Sequence, residues 1–351
     1  LKAASASIQV DSASPMPATK ARTGPLAMTC VSTRTISGLK VQQSKPMKLC
    51  SSSYHTDAAL VGESFEAIVG QVTIFVPAGE PVELRDIRVT NLRDEAVEME
   101  VVPVVEYSHF DAVKQLANAD WVPQTMMSEA MRAGGGRLAL LQYPFLRKDG
   151  PVNYLSASCP ASSFESDRKL FLGDHEYGTW RRPGALVSGE PLSCHEARRG
   201  DNIGALVLPQ GTLAPGGSAR VVTMLGQAPR GEIRATVAKY ADFAAVDGAF
   251  EALGAFWKEH LSVFQCDTPD AEFDTMVNVH NPRQCHVTMN WSRYLSLYQL
   301  GIGTRGLGFR DSSQDVMGGM PGAPGEAKEL LRKLLSIQKP DGSAMHQFYP
   351  A

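Results

Sequence analysis

Between about residues 56 and 228, apolar and polar positions follow a period of two. Gln71–Val76 is an apolar run that stops at Pro77, and Val82–Thr90 alternates almost strictly. Glu98–Glu106, Leu138–Tyr143 and Ala219–Leu225 repeat that character, with turn formers such as Ala214-Pro-Gly-Gly-Ser218 between them. Many strands with short connections predict an antiparallel β-sandwich. The period then changes. Phe243, Val246, Phe250, Leu253 and Trp257 fall at helical steps, Glu272–Gln299 reads as one or two helices, and Leu330, Leu331, Leu334 and Leu335 form the core stripe of a last helix closed by Pro340-Asp-Gly.

Two stretches depart from this plan. Residues 1–54 are rich in Ser, Thr, Ala and Lys, hold Asp11 as their one acid, and carry Pro15, Pro17, Pro25 and Pro46 without a sustained period. An organelle transit peptide has such a composition, but a disordered terminus is the plainer reading. Tyr107–Pro123 interrupts the β pattern. The resulting division is a low-complexity terminus (1–54), a β-sandwich (55–229), a helical linker (230–265) and a second helical region (266–351).

Composition narrows the class. At 351 residues, with 43% hydrophobic content, the chain is long enough for two ordinary globular domains. A formal charge of −3 offers no footprint for nucleic acid or an anionic membrane. The 6 cysteines lack C-x-x-C spacing, so neither a disulfide framework nor a zinc site is indicated. Asn278, His280, Arg283, Cys285 and His286 call for a metal check, but no histidine pair has the helical spacing of a zinc site, and no metal is expected. No run of apolar residues is long enough for a membrane-spanning helix, and a cytoplasmic location is the default.

The chemistry concentrates in Trp291–Asp315, read as a helix, a glycine-rich turn and a second helix start. Asp311 or Ser312 can cap that second helix, with Ser312 and Asp315 spaced as a capping box. Arg293, Arg305 and Arg310 supply forks of donors suited to phosphate or carboxylate, and ionised Asp311 accepts bonds from sugar hydroxyls. An internal Arg–Asp network locking a buried loop would use the same residues, and the pattern leaves both readings open. Gly301, Gly303 and Gly306 also spell a dinucleotide fingerprint, but a helical rather than a β-branched segment precedes them, so the match is rejected.

The string Arg305-Gly-Leu-Gly-Phe-Arg-Asp-Ser-Ser-Gln-Asp315, preceded by Trp291-Ser-Arg293 and followed by Gln338-Lys-Pro-Asp-Gly-Ser-Ala-Met-His-Gln347, resembles the entry to the catalytic domain of the inverting β-glucoside phosphorylases. These form glycoside hydrolase family ninety-four. The likeness extends over about residues 55–351 and implies a large antiparallel supersandwich, a helical linker and the first helices of an (α/α)6 barrel. It implies that Arg293 and Arg305 contact phosphate and that Arg305 and Asp311 hold the transferred glucosyl unit. Arg310, Gln314 and Asp315 would support them from behind, and inorganic phosphate would be a co-substrate with no cofactor. Trp121, in the Tyr107–Pro123 interruption, could stack on sugar, although a place in the core or a domain interface is the plainer role.

An inverting phosphorylase needs a cationic cradle for phosphate and one general acid for the leaving oxygen. The family's acid stands in a Trp-Asn-Asp-like motif that this sequence lacks, so the chain alone is expected to be inactive. The partners implied are an oligosaccharide and phosphate, without nucleic acid or membrane, and a homodimer for the full-length enzyme. The wording around Arg293 leans toward cellodextrin or 1,2-β-oligoglucan substrates. A related hydrolase or transglycosylase, or a non-catalytic carbohydrate-binding fragment, are the alternatives.

Overall fold

A computed structural model of the protein describes residues 26–33, 40–41, 51–54, 59–65, 68–107, 125–145, 150–173, 183–200, 202–292 and 307–348. The described residues fall into two compact units that divide between Glu251 and Ala252.

The first unit is built on two sheets. One contains β3 (Ser51–Tyr54), β4 (Ala59–Phe65), β5 (Ile68–Phe75), β6 (Val82–Asn91), β8 (Met126–Gly134), β9 (Arg137–Pro144), β10 (Val152–Ala157) and β13 (Ser218–Ala228), in the order β3-β4-β5-β6-β13-β10-β9-β8. The other contains β1 (Leu26–Thr33), β2 (Lys40–Val41), β7 (Val97–Glu106), β11 (Ser163–Asp167) and β12 (Asn202–Leu213), in the order β11-β12-β7-β1-β2. Described pairings are antiparallel except β1 with β7.

β1, β2 and β3 lie within residues 1–54. Leu26, Met28 and Cys30 alternate with small residues over a stretch too short to stand out among the surrounding prolines and serines. Pairing across eight positions with β7 gives this stretch a role that local composition does not show.

The alternation explains the core. Ile87 and Val89 of β6, Val101 and Val105 of β7, Leu155 of β10, Leu206 and Leu208 of β12, and Val221 and Leu225 of β13 meet in one buried cluster between the sheets. Each such side chain contributes about 1.5–3 kcal/mol by leaving water. Val102 and Val104 point the other way and pack with Phe171 and Leu172 of α1 (Arg168–Leu172), beside α2 (Gly184–Val187). β7 is therefore covered on both faces over Val101–Val105, which is why that stretch is an unbroken apolar run. On the eight-stranded sheet, α3 (Arg230–Tyr240) lies against β8, β10 and β13 and buries Ile233, Val237 and Tyr240.

β11 and β8 are edge strands of their respective sheets, and one segment laces them together. Leu192 N donates to Ser163 Oγ (3.1 Å), Cys194 N to Phe164 O (2.9 Å) and Ala197 N to Ser166 Oγ (2.8 Å). On its other side, Ser128 N donates to Ala197 O (2.7 Å) and Ala130 N to the Glu196 carboxylate (2.8 Å). Edge amides that would otherwise invite pairing with a second chain are thus occupied.

The second unit begins within α4 (Phe243–Leu261). It continues through one helical run made of α5 (Ala271–Thr275), a wide π-helical turn (Met276–His280), α6 (Asn281–Val287) and a second π-helical turn (Thr288–Ser292). Then come β14 (Leu307–Gly308), α7 (Phe309–Gly319), α8 (Pro324–Leu335) and β15 (Gln347–Phe348). Met289, Val316, Ala323, Ala327, Leu334 and Phe348 form its core, with Leu330 and Leu331 packed alongside. Leu335, expected in that stripe, is 56% exposed. It sits at the last position of α8, about 100° around the helix from Leu334.

Candidate functional site

β14 pairs with β15 through Leu307↔Phe348 and Gly308↔Gln347, and Phe309 N donates to His346 O (3.2 Å). The start of α7 is thereby clamped by the His346–Phe348 end of the chain, which places Asp311 in the helix's first turn. The free amides and positive dipole end of that turn suit a carboxylate.

The expected capping box does not form. α7 starts at Phe309 with Gly308 at the cap, so Ser312 is already inside the helix. It is 1% exposed, and its hydroxyl has no hydrogen-bond partner among the described residues. Ser313 instead bonds back to Phe309 O (2.6 Å).

Helical phase sorts the remaining residues. Asp311 and Asp315, four positions apart, are both half-buried on the flank of the stripe formed by Ser312, Val316 and Gly319. Arg310 and Gln314 are exposed on the opposite side. Arg310 has a side chain 85% exposed, and its Nη2 lies 3.1 Å from Asp311 Oδ1, an exposed pair of little energetic weight. Arg293, Arg305 and Trp121 lie outside the described residues.

Close packing fixes α7 against the helical run. A Cβ on Gly319 would come 2.6 Å from Met289 Sδ, and one on Gly318 would come 3.1 Å from Cys285 Sγ. Arg293 directly follows the π-helical turn Thr288–Ser292 in sequence. Wide turns of this kind recur at functional positions, because the extra residue re-aims the side chains beyond it.

A cluster of which the sequence reading named Trp257 and His286 only separately supports this run. His260 and His286 are 5% and 6% exposed, and their rings meet edge to face at 4.8 Å. Phe256 and Trp257 border both. Gly322 lies against the His260 ring, where a Cβ would approach to 2.6 Å. Burial holds the His286 pKa below its ordinary value, aided by His260 and opposed by Glu326, whose carboxylate lies 3.9 Å from Nδ1. The available signal was Phe256-Trp257 placed three and four residues before His260, a spacing that brings ring and imidazole together on a helix. Among the described residues no group of three or more His, Cys, Asp or Glu side chains could hold a metal ion.

Comparison with known proteins follows the same division of the chain. Residues 44–243 match the model of the glycosyl hydrolase 94 supersandwich domain, and residues 256–351 match the catalytic domain of the glycosyl hydrolase 94 superfamily. The chain belongs to glycosyl hydrolase family 94.

Among curated family 94 relatives, an N,N'-diacetylchitobiose phosphorylase from Vibrio furnissii is 29% identical over 286 residues, which are 82% of this chain and 35% of that protein. A solabiose phosphorylase from Paenibacillus borealis is 26% identical over 294 residues, with the same coverage of 82% and 35%. The chain thus spans about a third of the length of these relatives. A bacterial glucoamylase solved with acarbose shares the fold at a TM-score of 0.52 and 9% identity, covering 86% of this chain and 43% of that one. No helix among the described residues is long and apolar enough to cross a membrane.

Proposed function

We propose that this family 94 chain contributes the supersandwich and the first helices of an (α/α)6 barrel to an inverting phosphorylase, which splits a β-linked gluco-saccharide into α-glucose 1-phosphate and a shortened acceptor. The observation that carries this reading is the match of residues 256–351 to the family's catalytic domain, together with relatives that are themselves phosphorylases. The position of Asp311 supports it: the clamp between β14 and β15 seats this carboxylate at the start of a helix, six residues after Arg305 in sequence. In this reading Arg293 and Arg305 aim phosphate at the anomeric carbon and offset its charge. Arg305 and Asp311 hold the glucosyl hydroxyls, with Gln314 and Asp315 farther along α7.

Phosphate is already a competent nucleophile, so no protein base is needed. One general acid protonates the leaving oxygen. We assign that acid to residues outside this sequence, and expect the 351-residue chain alone to release no glucose 1-phosphate. Exposed apolar side chains on the second unit, among them Phe273 (53%), Met276 (59%) and Met317 (72%), suit contact with further helices of a barrel. These relatives act on N,N'-diacetylchitobiose and solabiose by name, so a disaccharide stands beside the longer glucans as substrate.

The test is Arg305→Ala in the complete enzyme, assayed for sugar release with and without orthophosphate. The expected result is strict phosphate dependence in the parent and at least a hundredfold loss of kcat/KM for phosphate in the variant, about 2.7 kcal/mol of transition-state stabilisation. Phosphate-independent release by the parent would identify a hydrolase instead.

A further inference from the structure

Where the lacing segment crosses between the two sheet edges, it walls one side of an open cleft of about 920 Å³. Leu138, Phe164 and Leu170 give the cleft apolar lining, and Arg132, His195 and Arg198 stand exposed in its wall. All of these residues belong to the first unit. None of these three basic side chains has a hydrogen-bond or ion-pair partner among the described residues; the one bond at Arg132 uses its carbonyl, which accepts from Arg234 Nε (3.1 Å).

The wall that carries His195 and Arg198 is held on both sides. Beyond the edge contacts given above, Ser166 Oγ donates to His195 O (2.7 Å) and Ser193 Oγ to the buried Glu165 carboxylate (2.5 Å). Glu165 is 1% exposed and also accepts from the amides of Ser166 (2.9 Å) and Asp167 (3.1 Å), so its charge is already met. Cys194 takes a left-handed φ of 55° between the two, a conformation rarely held by a residue other than glycine unless its surroundings demand it. Glu196, the acid in the lining, is engaged by the Ala130 amide. Among the described residues, the guanidiniums of Arg132 and Arg198 remain without a partner in the cleft, on a backbone that does not have to rearrange to present them.

We propose that this cleft is a second phosphoryl-binding site, taking orthophosphate or the phosphate of a sugar phosphate on Arg132 and Arg198, with the sugar lying over Leu138 and Leu170. Two guanidiniums match the oxygens of a phosphate dianion by charge-assisted bonds, and an apolar floor suits the carbon face of a pyranose. The lining sets two guanidiniums, Arg132 and Arg198, against one carboxylate, Glu196, which already accepts from the Ala130 amide. The choice of a phosphoryl group over other anions rests on the phosphorylase reading; the cationic cleft itself does not.

The experiment is a phosphorus NMR titration of the 351-residue chain with orthophosphate and with α-glucose 1-phosphate, with calorimetry of glucose as the uncharged control. Arg132→Ala/Arg198→Ala is expected to weaken phosphoryl binding by roughly tenfold or more, the loss of one or two charge-assisted bonds. Both positions are exposed, so folding is retained and is checked by circular dichroism. Arg305→Ala serves as the comparison. Binding that survives it but falls in the double variant supports the cleft. Binding abolished by Arg305→Ala and untouched by the double variant overturns it, as does glucose binding as tightly as its phosphate. Preference between the two phosphates tells which source the cleft takes. Failure of the phosphorylase reading would appear separately, as phosphate-independent sugar release by the complete enzyme.

Discussion

Tyr154 of β10 lies directly opposite Gly226 of β13, and its phenol ring covers the glycine so closely that a Cβ there would sit 2.5 Å from the ring. Tyr154 is 1% exposed, and burial pushes its pKa up to about 12. Gly226→Ala therefore has to displace a large ring within a closed core. The expected cost is about 1–3 kcal/mol, read as a drop in thermal midpoint, because overpacked cores shift side chains out of their preferred rotamers. An unchanged midpoint would mean that the ring has room that this geometry denies it.

Ser312 separates two readings of the same helix. As a capping residue it would lose about 1 kcal/mol on substitution by alanine. As an interior residue with an unanswered hydroxyl, Ser312→Ala should be neutral or stabilising, since it removes a buried polar group that gains nothing. Urea unfolding of the two chains decides between them.

The histidine cluster predicts an acid-sensitive second unit. His286 is held below its ordinary pKa chiefly by burial, so the unfolded chain binds a proton more readily than the folded one. Its contribution is fully present above the ordinary histidine pKa of about 6.5 and is lost as pH falls below it. Glu326 and Arg283 are charged groups beside this cluster, one 3.9 Å from His286 Nδ1 and the other over the Trp257 ring. His286→Phe should flatten the dependence of the unfolding midpoint between about pH 7.5 and 5.5. A dependence as steep as the parent's would assign it to other groups.

Arg220 ties β13 to its neighbours. Its guanidinium meets Asp86 at 2.9 Å through two bonds, reaches Asp247 of α4, and lies 4.7 Å from the Phe243 ring centre. Hydrogen bonding to Arg220 holds the Asp247 pKa below the usual carboxylate value, so that part of the stability is lost only in stronger acid, below the window of His286. Arg220→Met should cost about 2 kcal/mol, because Asp86 keeps its charge with its principal partner gone. Near-equal denaturation midpoints for the two proteins would show that the ion pair is energetically idle.

The sandwich was legible because β6 has one face in the core, which forces a period of two on its sequence. β7 was read as another alternating strand, yet both faces of Val101–Val105 are covered. β1 was missed: its partner is a strand some seventy residues away in sequence, and nothing local announces a parallel pairing. The end of α8 was placed one residue too generously in the core, where a leucine pair hides the helical phase. At the candidate site, the motif located α7 and Asp311, but the cap was misread because the strand pairing of Gly308 sets the helix start. Neither the histidine cluster nor the cleft at the sheet edges follows a motif; both arise from segments brought together by folding.

The wide turns at Met276–His280 and Thr288–Ser292 carry a consequence for anyone comparing this chain with a relative. Each holds about one residue more than an α-helical turn would, and one residue is worth about 100° of rotation. A homologue with a deletion at either place would present a different set of side chains from that point on along the helical run. Gaps in this run should be counted as changes of aim before they are counted as changes of length.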